Sequence, residues 1–168
     1  NNETITDFFI KSFEKISNDL SMISNFSEEG KKIKIIIAVS KQGHCLNDLL
    51  YRAKYGKIPI EISGVISNHL DFKDIVEFSG IKFHYLPINK DKNNKIEQEK
   101  KFNSIIENEN AELIVLARYM QILSDNFTKK WFGQCINIHH SFLPSFKGAK
   151  AYHQAHKRGV KIIGATTH

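Results

Sequence analysis

Residues 135–144 have the sequence CINIHHSFLP, and the pattern of this stretch indicates the fold class of the chain. Apolar or small residues alternate up to Asn137, a dense run of polar groups follows, and Pro144 ends it. This pattern predicts a short buried strand that delivers an amide, two imidazoles and a hydroxyl to its carboxyl end. In a parallel α/β sheet, ligands bind at that edge. The stretch therefore predicts a candidate site as well as a strand.

From residue 33 onward, apolar runs and helical patterns alternate along the chain. Strands are predicted near residues 33–39, 61–66, 82–86, 112–117, 134–138 and 160–165. Helices are predicted between them, near residues 44–54, 71–79, 95–109, 124–132 and 151–158. Strands separated by single helices favour right-handed βαβ units. We therefore predict an α/β fold with a doubly wound, mostly parallel sheet.

Polar clusters follow nearly every predicted strand. They lie at residues 40–44, 67–69, 118–121, 137–141 and 166–168. The carboxyl ends of parallel strands converge on one edge of a sheet. We therefore expect a single cleft lined by Asn, His, Ser and Thr, which is an enzyme-like arrangement.

The first thirty residues differ from the rest of the chain. Residues 6–20 predict an amphipathic helix, since Phe9, Phe13 and Leu20 share one face. A polar linker follows, and the charge changes sign there: residues 1–30 hold six acidic and two basic residues, the remainder 12 and 22. We place a domain boundary between residues 30 and 31. Because about thirty residues cannot build a core, residues 1–30 are an extension or the tail of another domain.

Composition narrows the class of protein. The chain has 168 residues, 41% of them hydrophobic, and no apolar run approaches the about 20 residues that span a bilayer. Its two cysteines form no C-x-x-C, and no signal peptide is visible, so we expect a cytoplasmic protein without a membrane partner. The net charge of +6 suits a small polyanionic substrate. It forms no Arg-rich or aromatic-interleaved stripe, so nucleic acid is not an expected partner.

Asn137 and His139 are the leading candidates for chemistry. Residues two apart on a strand project from the same face. Asn137 could hold a carbonyl oxygen through its amide while His139 gives or takes a proton, which is the pairing that acyl transfer needs. The alternative is structural: an Asn in a turn and a buried His that is hydrogen-bonded to the backbone. The sequence favours neither interpretation over the other.

Other motifs are weaker. Five histidines fall within the last thirty residues, but adjacent histidines face opposite sides of a strand and no HExxH is present, so no metal is expected. The loop at residues 40–44 has one glycine and matches no nucleotide-binding pattern. Residues 118–123 could line a flat heteroaromatic pocket through their backbone. They could equally be a strand-to-helix connection packed on the core.

The motif continues beyond Pro144 in a way that resembles a known family. Residues 136–146, 148–149, 151–155, 159–160 and 164–168 together resemble the signature of enzymes that use 10-formyltetrahydrofolate. Within that group the pattern is most similar to formyltetrahydrofolate deformylase. The pair His139-His140 stands where the formyltransferases have His-Pro, and residues 43–46 (GHCL) replace their phosphate-gripping Gly-Ser-Asn-Leu loop. Residues 8–26 resemble the end of the ACT domain that precedes the deformylase catalytic domain.

The resemblance implies a formyltransferase-type, Rossmann-like fold and specific roles. Asn137 would polarise the formyl oxygen, His139 would act as acid and base, and His168 would flank the water site. Substrate-binding residues would be Met120, Gln121, Ile122, Leu123, His140, Ser141 and Gly148. The implied reaction is hydrolysis of 10-formyltetrahydrofolate to formate and tetrahydrofolate, which supplies formate to one-carbon metabolism and purine biosynthesis. Folate and water are the expected small-molecule partners, without metal or cofactor, in a homo-oligomer.

One feature of the family is missing from the sequence. The resemblance places a catalytic Asp shortly after the Gly-Ala-Thr-x-His strand, and the sequence stops at His168. We therefore expect a catalytic domain over residues 31–168 that is truncated at its C-terminus and inactive by itself. The alternatives are a folate-dependent formyltransferase, such as phosphoribosylglycinamide formyltransferase, and a catalytically silent folate-binding module.

Overall fold

The computed structural model describes residues 5–24, 26, 30–88, 92–139, 145–146 and 150–168. The chain divides into two compact units, Asn1–Lys31 and Lys32–His168. In the first unit, helix α1 spans Ile5–Asp19. The rings of Phe9 and Phe13 stack with centroids 6.2 Å apart, and Phe26 meets Phe13 edge-on at 5.4 Å. The predicted apolar face of this helix thus forms a local aromatic cluster.

The second unit is built on one six-stranded sheet. Its strands are β1 (Ile33–Val39), β2 (Ile60–Ser67), β3 (Phe83–Tyr85), β4 (Leu113–Ala117), β5 (Cys135–His139) and β6 (Thr166–Thr167). The helices between them are α2 (His44–Lys54), α3 (Lys73–Phe78), α4 (Lys92–Asn108), α5 (Asp125–Lys130) and α6 (Ala151–Lys157). The spatial order is β3-β2-β1-β4-β5-β6, and every pairing is parallel except that of β5 with β6. The predicted α/β fold with a doubly wound, mostly parallel sheet is confirmed.

Strand β1 is covered on both faces, which explains its continuous apolar run. Strand β5 is less buried than the sequence predicts, since Ile136 and Ile138 are 37% and 41% exposed. Along β1, Ile36 packs in one buried cluster with Phe102 of α4 and Phe127 of α5. Its neighbour Ile37 packs in a second cluster that includes Leu46 of α2. Successive strand residues point to opposite faces, so β1 has to be apolar at both parities. No helix of the described residues is long and apolar enough to cross a membrane.

The strand predicted at residues 160–165 is wrong. These residues form no strand, and the last strand is the short antiparallel β6 at Thr166–Thr167. Ile162 and Ile163 instead line a small pocket together with Ala151 and Ala155 of α6, and they stay 75% and 54% exposed. An apolar run in the sequence does not by itself show that its residues join a sheet.

Candidate active site

Ser40 joins the loops that follow three neighbouring strands. The strand order reverses between β1 and β4, so the chain departs in opposite directions there and leaves a crevice. Ser40, directly after β1, donates from its backbone N to the Arg118 carbonyl at 3.3 Å. Its hydroxyl donates to Asn68 Oδ1 at 2.7 Å and accepts from the Met120 backbone N at 3.1 Å. The predicted convergence of polar strand ends is present at this point.

Asn137 and His168 lie side by side although 31 positions separate them. Asn137 on β5 is level with Leu116 of β4, one residue before that strand ends. Two backbone hydrogen bonds join it to His168, at 2.6 Å from the Asn137 N and 2.9 Å from the His168 N. Directly opposed residues of antiparallel strands share a face. Their side chains therefore meet, with Asn137 Nδ2 3.1 Å from His168 Nε2.

The chemistry of this contact gives Asn137 the donor role. An amide nitrogen of Asn can only donate, so Nε2 of His168 is the acceptor in this contact. The bond uses one of the two N–H groups of Asn137. The contact thus holds a donor amide at a fixed orientation beside an imidazole.

The remaining predicted residues of this region are only partly described. The backbone of His139 pairs with Thr166 in the antiparallel ladder. The side chain of His139 lies outside the described residues, as do His140, Ser141 and Gly148. Their roles stay predictions.

A cavity of about 590 Å³ opens beside the Asn137–His168 pair. It lies on the sheet face that α5 covers, and its lining includes Leu116, Tyr119, Gln121, Leu123, Phe127, Trp131, Cys135, Asn137 and His168. Four of these residues (Gln121, Leu123, Asn137 and His168) belong to the predicted site. Met120 and Ile122 do not line it, and their exposed fractions are 54% and 83%.

Two aromatic residues of this cavity, Phe127 and Trp131, are not among the residues predicted from the sequence. Phe127 and Trp131 are four positions apart, which places them on the same face of α5. That spacing was a usable signal, although on its own it indicates only a helix packed on a core. Trp131 donates from Nε1 to Asn103 Oδ1 at 2.7 Å, and this bond fixes the plane of the indole.

Burial favours the uncharged forms of two groups in the cavity, Tyr119 and Cys135. It raises the pKa of Tyr119 to about 12, and the carboxylate of Glu99 adds to this effect. Burial also raises the pKa of the Cys135 thiol. The cavity is therefore an aromatic slot with hydrogen-bonding groups at one end, a form that suits a flat heteroaromatic ligand. Among the described residues, no group of three or more His, Cys, Asp or Glu side chains is placed to hold a metal ion.

Solved structures of formyltetrahydrofolate deformylases share this architecture. The deformylase from Burkholderia mallei ATCC 23344 superposes with a TM-score of 0.83 at 44% identity, covering 99% of this chain and 59% of that one. Phosphoribosylglycinamide formyltransferase from Anaplasma phagocytophilum gives a TM-score of 0.71 at 31% identity, covering 82% of this chain and 64% of that one.

Sequence relatives agree with the structures. Formyltetrahydrofolate deformylase from Corynebacterium sp. (strain P-1) is 50% identical over 164 residues, covering 98% of this chain and 57% of that protein. The Bacillus subtilis (strain 168) protein of the same name is 42% identical over 156 residues, covering 93% and 51%. The chain thus spans between half and three-fifths of these deformylases. The resemblance predicted from the motif is confirmed. The sequence model of the formyl transferase family matches residues 33–168, and the chain belongs to that family.

Proposed function

We propose that the whole protein hydrolyses 10-formyltetrahydrofolate to formate and tetrahydrofolate. The observation that carries this proposal is the contact between Asn137 and His168 at the polar end of an aromatic cavity. The similarity to proteins named formyltetrahydrofolate deformylase supplies the substrate.

In this proposal Asn137 polarises the formyl group. One of its N–H groups is engaged by His168, and we assign the other to the formyl oxygen, where negative charge develops as water adds. The backbone of Asn137 is held by two hydrogen bonds and its side-chain amide by one, so the amide needs little reorganisation during the reaction. His139 is proposed as the acid and base and His168 as the neighbour of the attacking water, both on the resemblance.

The pterin ring is proposed to occupy the cavity between β4 and α5. Tyr119, Phe127 and Trp131 provide aromatic surface, and Gln121 and Leu123 border the same space. Because the side chains of Met120 and Ile122 are largely exposed, their proposed contribution is through the backbone. His140, Ser141 and Gly148 are retained as substrate contacts on the resemblance alone.

Formate release from 10-formyltetrahydrofolate tests the proposal. We expect turnover by the whole protein and a loss of kcat of about 10²–10³ in Asn137→Ala, the effect of removing one oxyanion donor. Asn126→Ala is a matched control, since Asn126 is an exposed residue of α5 away from the cavity. Absence of formate release from the unmodified whole protein, or full activity in Asn137→Ala, would reject the proposal. The resemblance predicts that the 168-residue chain alone does not turn over, and the same assay measures this.

A second candidate is formyl transfer to an amine, which the likeness to phosphoribosylglycinamide formyltransferase favours. Formylation of glycinamide ribonucleotide in place of formate release would support it. Tight binding of tetrahydrofolate without either reaction would indicate a folate-binding module instead.

The remaining predictions concern the whole protein. We propose that residues 1–30 are the tail of an ACT-like domain and that the protein is a cytoplasmic homo-oligomer. The exposed apolar side chains of α1, with Phe8 at 68% and Phe9 at 57%, are compatible with further covering of this helix. Sedimentation of the whole protein measures its oligomeric state.

A further inference from the structure

The segment of residues 118–124, which connects β4 to α5, is tied down at its start by Ser40. The Ser40 hydroxyl accepts from the Met120 N, and its backbone N donates to the Arg118 carbonyl. Ser40 is only 4% exposed, and its hydroxyl proton goes to Asn68 on the neighbouring loop. This anchor therefore connects the segment to two other strand ends.

The same segment is tied down at its end by Glu99 of α4. One carboxylate oxygen of Glu99 accepts from the Ser124 backbone N at 2.7 Å, and the other accepts a short hydrogen bond from the Ser124 hydroxyl. The Ser124 hydroxyl also accepts from the Phe127 N at 3.2 Å and caps α5. Glu99 thus sets both where the segment ends and where α5 begins.

The first anchor includes a residue in an unusual backbone conformation. Arg118 has a φ of 62°, in the left-handed region that a non-glycine residue rarely adopts. Such a residue persists only where its surroundings hold it. Gln121 and Leu123, which line the cavity, lie between the two anchors. The shape of the cavity edge therefore depends on side chains outside the cavity lining.

We propose that Ser40 and Glu99 are positioning residues that hold residues 118–124 in the conformation that binds the pterin ring. This inference rests on the proposed function and adds two residues that do not line the cavity. Neither contacts the Asn137–His168 pair in the described hydrogen-bond network, so they act on binding and not on the chemical step.

The test compares substrate binding with turnover in the whole protein. We expect Glu99→Ala to raise the Kd for tetrahydrofolate and the KM for 10-formyltetrahydrofolate by about tenfold, since it removes two hydrogen bonds to a charged group. Glu99→Gln keeps an acceptor for Ser124, so its Kd and KM should lie between those of Glu99→Ala and those of the unmodified protein. Ser40→Ala should raise Kd and KM as Glu99→Ala does. At saturating substrate, kcat should stay within about twofold of that of the unmodified protein, because losing these hydrogen bonds weakens binding of the ground state and of the transition state equally.

Two control variants separate positioning from general stability. Glu107→Ala removes another carboxylate of α4, one that also holds α5, through Lys130 at 2.6 Å. Ser104→Ala removes a serine hydroxyl of α4 that, among the described residues, bonds to the Lys100 carbonyl of its own helix. Both variants should leave Kd and KM unchanged.

Hydrogen exchange provides a readout that does not depend on folate. The amides of Met120 and Ser124 should exchange faster in Ser40→Ala and Glu99→Ala respectively, and at the original rate in the controls. Unchanged exchange at these amides, equal Kd values in anchor and control variants, or a fall in kcat at constant KM would overturn the inference. If the unmodified protein neither bound nor hydrolysed the folate, the proposed function would be rejected. Hydrogen exchange would still show whether Ser40 and Glu99 hold residues 118–124 in place.

Discussion

Replacing Phe102 by alanine should be the most damaging single truncation in the region beneath the cavity. Phe102 is 1% exposed, and its ring lies 5.8 Å from that of Tyr119 and 5.1 Å from that of Phe127. A buried Phe→Ala change costs about 3–5 kcal/mol, from lost burial and from the cavity it leaves. Because two aromatic partners lose their contact at once, we expect the upper half of that range.

Urea denaturation followed by Trp131 fluorescence and by circular dichroism measures this loss. The matched control is Phe78→Ala, since Phe78 is 91% exposed at the end of α3. Its free energy of unfolding should change by less than about 0.5 kcal/mol. The slope of unfolding free energy against urea should stay constant in both variants, because a change would indicate an altered denatured state.

A milder substitution at the same position links stability to binding. Tyr119 and Phe127 line the cavity, so Phe102→Leu, which we expect to remain folded, should still weaken tetrahydrofolate binding. If Phe102→Ala were within about 1 kcal/mol of Phe78→Ala, Phe102 could not be a well-packed core residue, and the reasoning would be refuted.

Two further predictions concern Gly43, which precedes α2, and His84 of β3. Gly43→Ala should lower the free energy of unfolding by about 1–3 kcal/mol, since its Cβ would lie 2.3 Å from the ring of Phe72. Adding Phe72→Ala should remove most of that clash, and the urea midpoints of the two single variants and the double variant measure the coupling. Burial lowers the pKa of His84 in spite of the nearby Glu109 carboxylate, and Lys82 lowers it further. The unfolded chain therefore binds the His84 proton more tightly, so stability should fall as pH drops below the ordinary histidine pKa of about 6.5. His84→Gln should flatten the dependence of the urea midpoint on pH between 5 and 8, and an unchanged slope would contradict this.

Strands and helices that carry their own signal could be predicted closely from sequence. The prediction for residues 33–39 matches β1, and that for residues 44–54 matches α2. β1 pairs on both sides and is covered on both faces, so it has to be a continuous apolar run. A buried central strand can therefore be predicted from its own sequence.

Peripheral elements are harder to predict, because their structure and role depend on the elements that pack against them. Residues 160–165 are as apolar as some true strands, yet they form no strand, and Ile162 and Ile163 are 75% and 54% exposed. Phe127 and Trp131 have ordinary helical spacing, and only the position of α5 over β4 and β5 makes them part of a cavity. The anchor Ser40 is 80 positions from Met120, and the anchor Glu99 is 25 positions from Ser124, separations at which sequence pattern carries no contact information.

Asn137 and His168 lie at the same edge of the sheet, as the sequence predicts, but for a different reason. The prediction places each residue after a parallel strand, whereas His168 follows an antiparallel one. Their contact depends on register: Ile138 opposes Thr167, so Asn137 opposes His168. A slip of one residue would turn the His168 side chain to the other face of the sheet. Composition and periodicity would be the same in either register, so the candidate site is defined by a pairing that only the folded chain specifies.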